Sequence, residues 1–98
     1  MERIIAKGTL RQYWEQHPEV EQYLKTWHAT AMNADWKSPS DVKGTYASAS
    51  ILKNGRVVFN IKGNSFRLIV HFNYIKQWGF IRFIGTHEEY NKIDANTI

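Results

Sequence analysis

Moving protons and holding anions are the two tasks for which the polar side chains of this sequence are equipped. Four histidines and five tyrosines supply groups that can take or give a proton, and thirteen lysines and arginines stand against nine acidic residues. Cysteine is absent, which excludes disulfides and thiolate metal sites and suits a cytosolic protein. His87 is followed by Glu88 and Glu89 with no second histidine four residues on, so it does not form a metalloprotease helix, and neither a metal nor another cofactor is expected. Neighbouring carboxylates on a helix point about 100 degrees apart, so Glu88 and Glu89 also make a poor acid and base pair. What remains is a run of cations, Lys62, Arg67, His71 and Arg82, followed by His87 and Tyr90. Such a set has the groups needed to cut RNA without a metal. A 2′-hydroxyl attacks the adjacent phosphate, one side chain takes its proton, another protonates the leaving 5′-oxygen, and fixed positive charge stabilises the phosphorane.

The elements that must position these residues follow from hydrophobic period. Glu2 to Lys7 reads as a short strand, and Thr9 with Gln12 makes a capping-box pattern for a helix bearing Leu10, Tyr13 and Trp14. His17-Pro18 ends it, and Pro18 suits the first turn of a second helix carrying Val20, Tyr23, Leu24, Trp27 and Ala31. Residues 35–50 are rich in Ser, Pro, Gly and Asp and read as a connector with one turn near Pro39. Beyond it the period changes to two, in runs separated by Asn54-Gly55, by Gly63-Asn64-Ser65 and by a turn around Gln77. Thr86-His87-Glu88-Glu89 then carries a second capping signature, which places His87 at a junction between strand and helix. The expected fold is α+β: an N-terminal strand and a two-helix hairpin packed on one face of a sheet of three or four antiparallel strands, with a short C-terminal helix. At 98 residues it is expected to be a single domain spanning 1–98.

Alternation decides which face carries the cations. Phe66, Leu68, Val70 and Phe72 share one face of their strand, and Val57, Phe59 and Ile61 share one face of the strand before it. Ile81 and Phe83 are assigned to the same buried face, leaving Lys62, Arg67, His71 and Arg82 on the uncovered one. Lys53 and Lys92 extend that surface, and Asn64 in its turn is placed with them as an RNA contact. On an arbitrary domain such residues serve solvation and guard against sheet pairing more often than catalysis. His17 and His28 read as surface or capping residues, and His71 as a packed ring whose face keeps it a candidate. Trp14 and Trp27 lie on apolar helical stripes, whereas Trp78 at a turn is the aromatic best placed to be exposed.

A net charge of +4 and a pI near 9.5 favour an anionic partner. The opening residues contain an apolar run of only Ile4, Ile5 and Ala6, far short of a signal-peptide core or membrane span, so no membrane association and a cytoplasmic location are expected.

Two stretches, Val57 to Leu68 and Ile84 to Asp94, together with Arg11 to Pro18, Trp27, Trp36 and Pro39, carry a resemblance that runs nearly end to end. The chain resembles the HigB toxins, a branch of the RelE-like messenger-RNA interferases. The resemblance implies a RelE-like fold, cleavage of messenger RNA on the translating ribosome in its A site, and neutralisation by a HigA-like helix-turn-helix antitoxin. DNA would be met only through the antitoxin complex. By the same resemblance Arg67 matches the arginine used on the scissile phosphate, and His87 and Tyr90 match positions associated with proton transfer and base contact. The family usually has Asp where this chain has Asn91, and often Gly where it has Lys62. Members differ in which residues carry the acid and base, so the roles of Lys62, His87 and Tyr90 are interchangeable at this point. Two other readings stand beside the toxin: a non-catalytic RNA-binding module, and a co-repressor retained as a partner of a DNA-binding antitoxin.

Overall fold

The computed structural model describes residues 1–98. Strand β1 (Arg3–Ile5) leads into helix α1 (Lys7–Gln16), a 3-10 turn at Pro18–Val20 and helix α2 (Glu21–Asn33). Helix α3 (Pro39–Thr45) precedes β2 (Ser50–Ile51), β3 (Arg56–Ile61), β4 (Phe66–Asn73), β5 (Trp78–Thr86) and helix α4 (His87–Tyr90). The five strands form one mixed sheet in the order β1-β5-β4-β3-β2, antiparallel except for β1 on β5. The expected α+β arrangement is thus present, but the N-terminal strand is part of the sheet rather than outside it.

The buried side of the sheet follows the sequence pattern. Val57, Phe59 and Ile61 of β3 and Phe66, Leu68, Val70 and Phe72 of β4 join Leu10, Leu24, Trp27, Ala31 and Val42 from the helices in one core cluster. Trp36, in the segment read as a connector, is 2% exposed within that cluster. Pro39 opens a full helix rather than a turn because Ser38 caps it, accepting from the Asp41 backbone N–H at 3.3 Å. Helix α1 begins at Lys7 and not after Thr9, since Ala6 takes a left-handed conformation (φ 67°) that turns the chain sharply out of β1. The Thr9 capping signature is therefore unused.

A register shift between β4 and β5 redirects the second half of β5. Ile81 pairs with Val70 and Phe83 with Ile69, so Arg82 is the extra residue of a bulge. The bulge reverses the parity of everything after it. Phe83 falls on the side away from the helices, against expectation, and Ile84 takes the core position at 9% exposure. That side of the sheet is not bare. After α4 the chain folds back across it, and the Ile98 carbonyl accepts from Arg56 Nε at 3.0 Å and Arg82 Nε at 3.4 Å. Val58 and Ile69, paired with each other on this side, are 3% and 0% exposed.

Candidate functional site

Three of the sequence-selected residues meet where β4 begins and α4 follows β5. The turn after β3 runs Lys62 to Ser65, with left-handed backbone at Lys62 (φ 52°) and Gly63 (φ 64°). It brings the exposed Asn64 back over the first residues of β4. Arg67 Nη2 donates to Asn64 Oδ1 at 2.7 Å, while Nη1 donates to the carbonyls of Asn64 at 3.0 Å and Phe66 at 3.2 Å. The guanidinium also lies 5.8 Å from the centre of the Tyr90 ring, within cation–π range.

All of these acceptors are neutral. The ion pairs of the molecule are Lys25 with Glu21 and Lys37 with Asp35, so no carboxylate cancels the charge of Arg67. A guanidinium held in this way still has its Nε–H and one Nη2–H unused. Arg67 is 9% exposed, more enclosed than a strand residue facing bulk solvent. The result is a fixed, partly desolvated cation suited to an oxyanion.

Helix α4 supplies the other groups. Its N-cap Thr86 accepts from the Glu89 N–H at 3.1 Å, and Glu89 Oε1 accepts from the Thr86 N–H at 2.7 Å, completing the capping box legible in the sequence. His87 is the first residue of the helix; its side chain is exposed and its backbone N–H donates to the Ser65 carbonyl at 3.0 Å. That bond fixes the helix start against the turn that holds Arg67. Gly85 allows this approach, because a β-carbon there would stand 2.6 Å from the Phe83 ring and 3.1 Å from Glu89 Oε1.

One support of α4 is absent from the sequence reading. Tyr13 of α1 donates its hydroxyl to Glu89 Oε1 at 3.2 Å and stacks on His17 with ring centres 4.2 Å apart. The Thr86 backbone N–H, followed by its hydroxyl and that of Tyr13, holds the Glu89 carboxyl below its ordinary value. Burial and the Glu89 charge push the Tyr13 phenol up, which keeps it a neutral donor. Tyr13 and His17 stand on α1 and just beyond its end, so only tertiary structure brings them to α4.

Apart from Asn64, the other sequence-selected residues lie elsewhere. Lys62 does not continue the alternation of β3; its left-handed backbone takes it out of the strand, and it borders a cleft with Gln22, Tyr23, Thr26, Trp27, Tyr46, Asn60 and Ile61 on the helical side. Its assignment to the uncovered face is corrected accordingly. Lys53 sits in a 3-10 turn before β3, and His71 lies near the far end of β4, several residues along the sheet from Arg67. Arg82 is exposed at the bulge and bonded to Ile98, and Lys92 is exposed just after α4. Asn64, expected as an RNA contact, has its side-chain oxygen engaged in holding Arg67.

No group of His, Cys, Asp or Glu side chains is arranged to hold a metal ion, and no helix is long and apolar enough to cross a membrane. Residues 20–93 match the family model HigB_toxin, described as a RelE-like toxic component of a toxin-antitoxin system. The chain is 23% identical over 92 residues to a protein of Escherichia coli O6:H1 named mRNA interferase HigB, covering 92% of this chain and 89% of that relative. It is 27% identical over 94 residues to a Shigella flexneri protein of the same name, covering 94% and 90%.

Proposed function

Because the chain belongs to the HigB toxins, the RelE-like toxic component of a toxin-antitoxin system, we propose that it is an endoribonuclease that cuts messenger RNA on the translating ribosome. The observation that carries this reading is the unneutralised guanidinium of Arg67. Neutral oxygens of Asn64 and Phe66 hold it beside Tyr90, and the helix that presents His87 is anchored to the same turn. The names of the relatives, mRNA interferases, agree with it.

In this mechanism the scissile phosphate sits against the free Nε–H and Nη2–H of Arg67, which gain most as negative charge builds on the phosphorane. A 2′-hydroxyl attacks in line, and the 5′-oxygen leaves. In this reading His87, exposed at the head of α4, exchanges protons with the reacting oxygens, and Tyr90 offers a hydroxyl and a ring for the adjacent base. Lys62 stands apart across the turn and assists by charge at most. The cleavage needs no metal.

The antitoxin of this system, taken as HigA-like, silences the toxin by direct contact, and DNA is reached only through that complex. The test is to add the protein to ribosomes translating a defined message and map new RNA ends. New internal ends within the ribosome-covered stretch, suppressed by the antitoxin, are the expected result. RNA binding without new ends would identify a non-catalytic module instead.

A further inference from the structure

The end of the sheet remote from Arg67 carries a second concentration of rings and cations that the cleavage site does not use. Strand pairing sets Arg56 opposite His71, His71 opposite Phe80, Asn73 opposite Trp78, and Arg3 of the parallel β1 beside Trp78. Directly paired residues share a face, and this is the face turned away from the helices. Trp78 and Phe80 meet edge to face with ring centres 6.2 Å apart, and His71 follows Phe80 at 6.5 Å. Arg3 and Lys76 both reach over Trp78, at 5.3 and 5.0 Å from its ring centre. Beside Phe80 is a hollow of about 340 Å³ lined by His71, Phe72, Asn73, Tyr74, Ile75 and Phe80. Ile75 on its rim is 97% exposed. None of these residues is acidic.

We propose that this end of the sheet is a second RNA subsite, in which an unpaired nucleobase lies against Phe80 and His71 while Lys76 and Arg3 hold its flanking phosphates. The inference rests on the reading of the chain as an enzyme acting on RNA. Lysine is depleted at protein interfaces, whereas here Lys76 lies against the half-buried Trp78 indole. Half-exposed rings interleaved with unpaired cations are the pattern that binds single-stranded nucleic acid, the rings stacking on bases and the cations tracking the backbone. His71 lies four residues along β4 from Arg67 and Asn73 six, which at about 3.3 Å per residue is roughly 13 to 20 Å. A few nucleotides of extended single strand bridge that gap. The subsite therefore positions RNA and takes no part in bond breaking.

The RNA can be the message itself or an unpaired base of ribosomal RNA, and the experiment has an arm for each. Binding of a fluorescently labelled, fully 2′-O-methylated RNA octamer, which cannot be cut, is measured beside binding of vacant ribosomes, for the wild type and the Phe80→Leu and Lys76→Ala variants. Single-turnover cleavage at saturating toxin is followed on the same samples. Loss of one base stack is expected to weaken binding about 5- to 150-fold while the saturated cleavage rate stays within about twofold. Weakening confined to the octamer identifies the message as ligand; weakening confined to the ribosome identifies ribosomal RNA. Unchanged affinity in both arms, with Arg67→Ala still blocking cleavage, would overturn the subsite and leave the function standing. Failure of the wild type to bind or cut RNA would remove both. If the variants lose only the antitoxin, the surface is a protein interface and the subsite is wrong. Lys76 is an exposed turn residue, so its variant tests the idea even if Phe80→Leu folds poorly.

Discussion

Replacing Arg67 with alanine separates the chemical role proposed for this residue from its structural one. The structural cost can be worked from its bonds. Two of the three acceptors belong to the exposed Asn64, whose oxygens recover water when the guanidinium is removed. Only the Phe66 carbonyl is buried, and leaving such a group short of one donor costs about 1 to 2 kcal/mol. For a domain of this size that lowers the melting temperature by roughly 4 to 16 °C. A typical domain with about 5 kcal/mol of stability would keep about 3, which still leaves over ~99% of molecules folded at 25 °C. The chemical cost is larger: removal of one preorganised charge from the transition state lowers the rate by about 100- to 1000-fold. Arg67→Lys keeps the charge but cannot hold Asn64, Phe66 and a phosphate together, so its rate is expected between the two. The assay is single-turnover cleavage of ribosome-bound message at a temperature well below the measured melting point of each variant. Near-native cleavage by folded Arg67→Ala would refute the reasoning. A rate loss fully accounted for by the unfolded fraction would refute it equally.

His87→Gln is expected to slow single-turnover cleavage about 100-fold or more with no measurable change in melting temperature, because the side chain is exposed. Thr86→Val removes the oxygen that accepts from the Glu89 N–H at 3.1 Å; it should cost about 1 kcal/mol of stability, seen as faster amide exchange in α4 and slower cleavage. The pH dependence of the same helix has a definite sign. Glu89 binds its proton less readily in the folded chain than its ordinary value of 4.5 implies, so its contribution is complete above that value and is lost as pH falls through the lower folded value. Amide exchange or NMR shifts in α4 between pH 6 and 3 should therefore show the capping box opening only at acid pH, and Glu89→Gln should flatten that response.

Most of the buried framework was legible because every second residue from Val57 to Ile61 and from Phe66 to Phe72 is apolar. The Thr86 capping box was legible for a similar reason: its partners are three residues apart. The parallel pairing of β1 was not, since three residues carry no period and their partner lies across the whole chain. The bulge at Arg82 was hidden as well; an extra residue shows only through the strand it pairs with, and it moved Phe83 to the opposite side. Within the candidate site, Arg67, His87 and Tyr90 were proposed from residue type, position and the family resemblance, and the fold sets Arg67 against the Tyr90 ring. The holding role of Asn64 depends on a turn whose left-handed Lys62 no local rule favours, and the same backbone removed Lys62 from the face to which alternation had assigned it. The segment beyond α4 offered no period from which its return over the sheet could be read.

The most direct test of the central claim is a message in which one ribose, immediately 5′ of a mapped cut, is replaced by 2′-deoxyribose. Attack by the 2′-hydroxyl requires that oxygen, so cleavage at that bond should disappear while neighbouring cuts persist, and the unmodified message should yield ends bearing a 2′,3′-cyclic phosphate or its 3′-phosphate product. Undiminished cutting at the deoxy position would contradict the mechanism assigned to Arg67 and His87.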